Sequence, residues 1–451
     1  MLIRAFYYGL TDGFDYVDPS ILDEKVGSRL HDMAVFASST IALWRDVFKA
    51  SGLDPERIKS PEALCQLPFS SKKDLLAKPL EERLGIPASE CVVMSTSGTT
   101  GGPMPVFYSK KFFDYMAGVI RFRIRRMQGC PSHLKSATIT YDANARLAND
   151  PNNRPLAVRR SNAMGLLTPL ASPLYDRLTK RFYIATGVQD IMTGLIEFGP
   201  GRISGSPAYM RMIADASRTD PSIEFNLHSI ISIGEPLDEP TRRYLETSLD
   251  CDVFDGYGSN ETGIVAVECK HKSGLHIMTD SVIVEVLRDG EPVKKGEEGD
   301  VFVTTLKNRA MPLFRYDMGD RAVLGGSGCA CGRKTAVLKS IEGRRLDYVM
   351  AGDGRMVSPR RISSIIHSID CAPKCQLVEL ERFRFQLRIF DEGNPKELVD
   401  ALARELGDVT ISVSLEKPDV LKAKFRPVIS RLSLLVDSRW TKPVKQLQAA
   451  A

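Results

Sequence analysis

A short stretch of small residues between two apolar runs constrains this chain more than any other feature of its sequence. Val92, Val93 and Met94 lead into the segment 95–102, which holds five hydroxyl side chains and three glycines and carries no charge. Pro103 opens a second apolar run, and the pattern predicts a strand, a loop and a strand. Glycine lets the backbone approach a ligand closely, and N–H groups with Ser and Thr hydroxyls can surround a phosphate. A mobile turn rich in serine and glycine is the alternative that composition leaves open.

The loop is not a P-loop, because no Gly-Lys-Ser or Gly-Lys-Thr follows its glycines at the required spacing. The amino-acid sequence of the loop closely resembles the phosphate loop of the adenylate-forming superfamily. This superfamily comprises acyl- and aryl-CoA ligases, peptide-synthetase adenylation domains and luciferases. The resemblance implies that these residues hold the phosphates of ATP: Ser95, Thr96, Ser97, Gly98, Thr99, Thr100 and Gly101. Met104 stands where many members carry lysine, so we assign no lysine to the loop.

A segment before the loop narrows the resemblance to one branch. Residues 67–75 read Leu-Pro-Phe-Ser-Ser-Lys-Lys-Asp-Leu and resemble the lead-in of the phenylacetate–CoA ligase branch. The pattern predicts a turn followed by the start of a helix. Earlier, the apolar spacing over residues 33–51 predicts one helical stripe that ends at Gly52 and belongs to the core.

A second motif of the superfamily follows a predicted buried strand. In the segment 252–263, Tyr257, Gly258 and Glu261 match the pattern Tyr-Gly-x-x-Glu without a gap. The resemblance implies that Tyr257 packs on the adenine and that Glu261 holds Mg²⁺ against the nucleotide phosphates, a suitable role for a carboxylate. By itself, the segment would favour a loop that carries a solvated glutamate and a half-buried tyrosine, and only its order after the first motif favours the nucleotide site.

Two more motifs follow in the order that the family has. Asp320 ends the segment 314–320, where the family carries an acidic residue that binds both ribose hydroxyls. A carboxylate can accept a hydrogen bond from each of these hydroxyls. Arg344 lies in the segment 341–347, which resembles the domain junction where an arginine contacts the ribose or a phosphate. Leu346 stands where the family commonly has a hinge Asp or Lys, and this departure leaves the pivot undefined. A turn aspartate and a solvated linker arginine are the alternatives.

Near the end of the chain, Lys424 resembles the terminal catalytic lysine of this branch. It lies in Lys-Phe-Arg, although Ala423 replaces the preceding glycine of the family motif. The implied role is to neutralise the charge that develops during adenylation. Taken alone, a lysine in a run with Lys422 and Arg426 is usually surface charge.

Alternating apolar runs and helical patterns predict an α/β fold, in which a large N-terminal domain has mixed sheets covered by helices. Ligands in such folds lie beyond the carboxyl ends of strands, so Glu235, after the apolar run 230–233, is predicted to join the nucleotide site. Strands and a helix after the junction predict a small α+β C-terminal domain of the ferredoxin-like kind. The predicted division is 1–342 for the large domain, 343–347 for the hinge and 348–451 for a mobile C-terminal domain.

Cysteines and histidines in two glycine-flanked segments suggest a structural metal. Thiolate and imidazole ligands suit tetrahedral Zn²⁺, and four protein ligands leave no open position. Members of this branch carry a similar pattern, and the favoured ligands are Cys269, His276, Cys329 and Cys331, with His271 as the rival imidazole. Cys-x-Cys is tighter than the usual spacing, and free thiols in loops are the alternative. Cys371 and Cys375 form a weaker second candidate.

Composition limits the remaining classes. The formal net charge is +5 over 451 residues, which permits anionic ligands but gives no argument for nucleic acid. There is neither a run of eighteen apolar residues nor a signal-peptide pattern, so no membrane partner is expected. Nine scattered cysteines suggest reduced thiols and a cytoplasmic protein.

The resemblance implies a two-step ligase. A carboxylic acid, by family an aromatic one, is activated with MgATP to an acyl-adenylate, and CoA then displaces AMP to give a thioester. Rotation of the C-terminal domain is expected between the steps. The alternatives are an adenylate-forming amide ligase with an amine acceptor, and a nucleotide-binding homologue without catalysis. The sequence identifies neither the acid nor the acceptor, and a homodimer is compatible with it.

Overall fold

In the computed structural model, the structure describes residues 14–95, 104–140, 177–220, 223–369, 374–391, 394–416 and 426–432. Within these ranges no helix is long and apolar enough to cross a membrane. The α-helices in the described ranges are α1 Pro19–Thr40, α2 Ala42–Ser51, α3 Lys72–Leu76, α4 Lys110–Tyr115, α5 Arg121–Met127, α6 Val188–Phe198, α7 Pro207–Thr219, α8 Glu239–Leu249, α9 Pro359–Ser368 and α10 Lys396–Leu406. A π-helical turn, Met116–Ile120, joins α4 to α5.

The strands of the described ranges belong to one large sheet, one small sheet and two hairpins. They are β1 Cys91–Ser95, β2 Pro105–Ser109, β3 Ser136–Thr140, β4 Thr179–Tyr183, β5 Arg202–Gly205, β6 Ser229–Ile233, β7 Asp252–Ser259, β8 Gly263–Glu268, β9 Leu275–Ile277, β10 Val282–Arg288, β11 Glu291–Pro292, β12 Glu298–Thr305, β13 Tyr316–Leu324, β14 Val337–Arg344, β15 Val349–Met350, β16 Met356–Val357, β17 Cys375–Glu381, β18 Arg384–Ile389, β19 Thr410–Leu415 and β20 Val428–Ser430.

The large sheet is mixed, with the order β11-β10-β12-β13-β14-β9-β8-β7-β6-β5-β3-β4. Strands β3 to β7 are parallel, whereas β7 to β14 pair antiparallel. The carboxyl ends of the parallel strands therefore lie at the edge where the β7–β8 turn also lies. A separate four-stranded sheet, β19-β18-β17-β20, follows the junction.

Three hydrophobic clusters correspond to this layout. One covers the antiparallel half together with α1 and α2, where Trp44 packs edge-to-face on Phe314 at 4.9 Å. A second covers the parallel half, with Ile230 and Val253 fully buried. The third contains only residues between Val349 and Val428. We call the described residues up to 342 the large lobe and those from 348 onward the small lobe.

The predicted fold class is confirmed, because a large α/β lobe with a mixed sheet is followed by a small α+β lobe. The division at 343–347 stays a prediction. The single helical stripe predicted over 33–51 is wrong in one respect, since the chain becomes extended at Ile41 and starts a second helix there. Near the end of α1, the hydroxyls of Ser38 and Ser39 donate hydrogen bonds to the carbonyl of Val35. Such side-chain bonds compete with the backbone hydrogen bonds of the helix and favour its end.

Short polar side chains start several helices next to the site. Ser71 and Asp74 form a capping box at α3, and the hydroxyl of Ser109 accepts a hydrogen bond from Phe112 at α4. Asp238 caps α8 and Ser358 caps α9 in the same way. Such caps satisfy N–H groups that have no partner inside the helix. They fix where each helix begins and so place the residues of its first turn.

Candidate functional site

The base of the small-residue loop lies against the turn that carries Glu261. Ser95, the last residue of β1, is 1% exposed, and its carbonyl accepts a hydrogen bond from the side chain of Asn260 at 2.5 Å. The hydroxyl of Tyr108 in β2 donates to the carbonyl of Asn260, also at 2.5 Å. These contacts join both strands of the β1–β2 hairpin to the β7–β8 turn. Residues Thr96 to Gly101 lie outside the described ranges.

Glu261 lies in the tight turn between β7 and β8. The hydroxyl of Ser259 accepts hydrogen bonds from the backbone N–H groups of Glu261 and Thr262 at 3.2 and 3.3 Å. This local bonding is typical of Ser in turns. It presents the carboxylate of Glu261 next to the loop base, beyond the carboxyl end of β7.

Asp320, Tyr257 and Arg344 come together from three strands. The hydroxyl of Tyr257 donates to Oδ2 of Asp320 at 2.9 Å, and Nε of Arg344 lies 3.2 Å from Oδ1. Asp320 and Arg344 face each other in the β13–β14 ladder, which sets this pairing. The charge of Asp320 raises the pKa of Arg344. Each carboxylate oxygen of Asp320 keeps capacity for a second donor, because a carboxylate offers about four acceptor positions.

Charged neighbours surround Glu261. Burial lowers the pKa of Lys72, and the carboxylate of Glu261 opposes this change. Burial and then Glu261 raise the pKa of Tyr316, whose hydroxyl is hydrogen-bonded to that carboxylate. Glu261 also contributes to the raised pKa of Arg344. Glu261 is therefore within electrostatic range of Lys72, Tyr316 and Arg344, and the site carries two cations around its carboxylates.

Lys72 lies in the segment 67–75, but nothing in the sequence indicates its role. Ser70 pairs with Tyr316 in an isolated parallel bridge, and its hydroxyl donates to the carbonyl of Phe314 at 2.7 Å. The cap at Ser71 then starts α3 at Lys72. The cap was a readable signal for the helix start, whereas the pairing with β13, more than two hundred residues away, was not.

Two other predicted site residues are placed by the same strands. Gly258 lies in β7, where an added Cβ would approach the carbonyl oxygen of Gly263 to 2.3 Å, so close pairing with β8 explains this glycine. Glu235 follows β6 after Gly234, which has φ +99°, and Ile233 pairs with Gly256 of β7. Glu235 thus lies at the same sheet edge as Tyr257, and its role toward the nucleotide stays a prediction.

The junction contacts the terminal motif of the small lobe. Arg345, Leu346 and Asp347 form a 3₁₀ turn, and Asp347 is 4% exposed. Nε of Arg426 donates to Oδ2 of Asp347 at 3.0 Å, and a second guanidinium nitrogen contacts Oδ1. Burial and the charge of Arg344 lower the pKa of Arg426, so Arg426 lies within electrostatic range of Arg344. Lys424 lies two residues before it, outside the described ranges.

The four favoured metal ligands form one cluster in the large lobe. The ligand atoms of Cys269, His276, Cys329 and Cys331 all lie within 4.8 Å of one another. Sγ of Cys269 lies 3.7 Å from Sγ of Cys329, and Sγ of Cys331 lies 3.4 Å from Nε2 of His276. Tetrahedral zinc with bonds of about 2.3 Å to sulfur and about 2.0 Å to nitrogen would separate such pairs by about 3.8 and 3.5 Å. The donor set and its spacing therefore fit Zn²⁺.

The geometry also distinguishes the two candidate histidines. His276 is 1% exposed, and its Nδ1 is 3.1 Å from the hydroxyl of Thr335, which leaves Nε2 to face Cys331. A second hydrogen bond of this kind orients a ligating imidazole. Among the described residues, His271 is not part of the cluster. Cys371 lies outside the described ranges, so the weaker candidate with Cys375 is not tested.

These features together suit a polyanionic nucleotide. Asp320 offers carboxylate acceptors, while Lys72, Arg344 and Arg426 supply positive charge nearby. A hydroxyl- and glycine-rich loop begins at Ser95 beside the carboxylate of Glu261. Magnesium is commonly bound by one or two carboxylates together with substrate phosphates, and Glu261 fits that requirement.

Comparison with known proteins gives a consistent assignment. No family model matches the chain. The phenylacetate–coenzyme A ligase of Thermus thermophilus is 26% identical over 414 residues, which are 89% of this chain and 87% of that protein. The enzyme of the same name from Aromatoleum evansii is 28% identical over 392 residues, 82% of this chain and 83% of that protein.

Solved structures agree on the fold. The crystal structure of 2-hydroxyisobutyryl-CoA ligase in its postadenylation state has a TM-score of 0.75 at 19% identity, covering 97% of this chain and 94% of that one. The same enzyme in its thioesterification state gives a TM-score of 0.62 at 20% identity over the same shares. The resemblance found in the sequence is thus confirmed. Over most of its length the chain is similar to phenylacetate–coenzyme A ligases, and it shares its fold with a 2-hydroxyisobutyryl-CoA ligase.

Proposed function

We propose that this protein is an ATP-dependent, AMP-forming ligase that activates a carboxylic acid to an acyl-adenylate and transfers the acyl group to CoA. The observation that carries the proposal is the contact of Ser95 with Asn260, which joins the start of the small-residue loop to the Glu261 turn. Asp320 is paired with Arg344 and accepts a hydrogen bond from Tyr257, in the strand that leads to the Glu261 turn. Motifs from distant parts of the chain therefore meet where one nucleotide could contact all of them.

In the first step, an oxygen of the substrate carboxylate attacks the α-phosphorus of ATP, and pyrophosphate leaves. Asp320 accepts hydrogen bonds from the ribose hydroxyls, and Tyr257 and Arg344 hold its carboxylate in place. Lys72 supplies positive charge near Glu261. Met104, which follows the loop, supplies none, because it is apolar and fully buried. Glu261 would hold Mg²⁺, which neutralises phosphate charge when it is bound. Lys424 is proposed to stabilise the charge that develops at the α-phosphate.

In the second step, the thiolate of CoA attacks the carbonyl carbon of the adenylate, and AMP leaves with the electrons of the carbon–oxygen bond. One lysine cannot stay beside the adenylate while a thiol enters from the same side. We therefore propose that residues 348–451 rotate about the junction 343–347 between the steps. Asp347 contacts Arg426, so the pivot is proposed to include this residue as well as Leu346.

An aromatic acid is the proposed substrate class, because the curated relatives are phenylacetate–coenzyme A ligases. The test is pyrophosphate release from MgATP with a panel of aromatic and aliphatic acids, phenylacetate among them. CoA or amines are then added, and products are identified by mass spectrometry. Thioester formation supports the proposal, and an amide as sole product replaces it with the amine-acceptor alternative. No release with any acid would indicate a nucleotide-binding protein without catalysis.

We also propose that Cys269, His276, Cys329 and Cys331 bind a structural Zn²⁺. Their distances match tetrahedral edges, and all four positions are taken by protein ligands, so no site is left for substrate. Metal analysis of the purified protein should give about one zinc per chain. A cytoplasmic location and a homodimer are further proposals, and light scattering of the purified chain tests the second.

A further inference from the structure

A histidine of the small lobe contacts the start of a helix in the large lobe. Nδ1 of His367, in the last turn of α9, lies 2.8 Å from Oδ2 of Asp238 and 2.9 Å from the hydroxyl of Thr241. Asp238 is 2% exposed and caps α8 by accepting the N–H of Thr241 on its other oxygen at 2.9 Å. One oxygen of the Asp238 carboxylate therefore caps α8, and the other contacts His367 of the small lobe.

This contact has further support along the same face of α9. Nε of Arg360 donates to the carbonyl of Leu237 at 3.3 Å, next to Asp238. At the start of α9, the hydroxyl of Ser358 donates to Glu342 at 2.8 Å. The small lobe is thus seated on the large lobe by polar contacts at both ends of one helix.

These contacts between the two lobes lie next to the proposed nucleotide site. The segment 234–238 connects β6 to α8, and α8 leads into β7, which carries Tyr257. Burial tends to raise the pKa of Asp238, but the hydrogen bond and charge of His367, together with hydrogen bonds from Thr241, lower it. The carboxylate is thus stabilised in its charged form by a residue of the other lobe. Since the partners belong to different lobes, a rotation of the small lobe that moves α9 away from α8 would separate them.

We propose that His367 is a positioning residue that seats the small lobe in the orientation used for adenylation and is released before the acyl group passes to CoA. This inference rests on the proposed function and on the proposed rotation. It assigns His367 no contact with substrate. The hydrogen bond to a buried carboxylate favours one orientation, and its loss should shift the population of lobe orientations.

The test separates the two half-reactions. In His367→Ala, pyrophosphate release should fall about tenfold, the scale of one hydrogen bond to a charged group, with an unchanged KM for ATP. Thioester formation from preformed adenylate and CoA should stay the same or become faster. His367→Asn should restore most of the first rate, because the asparagine amide can replace Nδ1 as a donor. An equal fall in both half-reactions, or no change in either, would overturn the proposal.

A matched control is His31→Ala, which removes a histidine–carboxylate contact within the large lobe, 3.5 Å from Glu56. This variant should leave both half-reactions unchanged. Hydrogen exchange provides a readout without catalysis: in His367→Ala, amides of α9 facing the large lobe should exchange faster, while those of the small sheet do not. If the wild type releases no pyrophosphate with any acid, the proposed function fails, whereas the exchange result still decides whether His367 seats the lobe.

Discussion

The proposed nucleotide site and the Cys/His cluster both lie on the large sheet, but they are built differently. The cluster is complete within the large lobe, and its four ligand atoms lie within 4.8 Å of one another. The proposed nucleotide site combines residues of the large lobe with Arg426 of the small lobe, which contacts Asp347 of the junction. A site within one lobe can stay rigid, whereas a site shared by two lobes can be assembled and taken apart. The first arrangement suits a structural metal and the second suits a two-step reaction.

The largest effect that would sharpen this comparison is expected for Glu261→Gln. Replacing the carboxylate by an amide should reduce pyrophosphate release about 100- to 1,000-fold, because charge stabilisation of the transition state is lost. A coupled pyrophosphate assay at saturating acid measures this rate. Zinc content should not change, since Glu261 is not part of the cluster. Activity within threefold of the wild type would exclude Glu261 from the proposed role.

The next largest effect concerns the small lobe. In Lys424→Ala, pyrophosphate release should fall about 100-fold, while thioester formation from preformed adenylate should change by less than about threefold. Lys422→Ala, in the same basic run, is the matched control and should behave as the wild type. If Lys422→Ala is the slower variant, the motif alignment that selected Lys424 is wrong.

Removing one ligand of the cluster should affect stability rather than nucleotide binding. Cys331→Ser should lose zinc, with a decrease in Tm of about 5–10 °C, as expected for a loss of a few kcal/mol in a domain of this size. Cys65→Ser changes an exposed thiol and should keep both Tm and metal. The KM for ATP of the folded variant should stay within about twofold. A Cys331→Ser protein that retains one zinc would contradict the ligand set.

The smallest effect is expected for Tyr257→Phe. The variant loses the hydroxyl that donates to Asp320, so the KM for ATP should rise about three- to tenfold, the range of one hydrogen bond. Tyr244→Phe removes a similar tyrosine–aspartate bond, to Asp215, and should leave the KM unchanged. Steady-state kinetics with varied ATP distinguishes the two. Equal KM values in both variants would mean that Tyr257 does not position the ribose-binding carboxylate.

Residues with short-range signals could be predicted well. The β1–β2 hairpin, the turn before Glu261 and the cap at Ser109 follow from apolar runs, glycines and hydroxyl side chains close in the chain. The grouping of Cys269 and His276 with the later cysteines also agreed with the prediction. The break at Ile41 was missed, because the apolar spacing continues through it.

Other site residues could not be found in this way. Lys72 reaches Glu261 only because Ser70 pairs with Tyr316, and Asn260 matters only because its side chain meets Ser95. Pairings over such separations depend on the whole sheet and leave no local pattern.

By itself, the sequence determined which chemical groups this protein can use and in what order they occur, since glycines, hydroxyls and carboxylates in short motifs reflect local backbone and ligand requirements. Only the tertiary structure decided which of them meet. Strand pairing within the large sheet, together with side-chain contacts to the β1–β2 hairpin, brought Ser95 next to Asn260 and Tyr257 next to Asp320. The contact of His367 in α9 with Asp238 at the start of α8 then fixed how the small lobe lies against the large lobe, because a buried carboxylate is stabilised by each hydrogen-bond donor that reaches it.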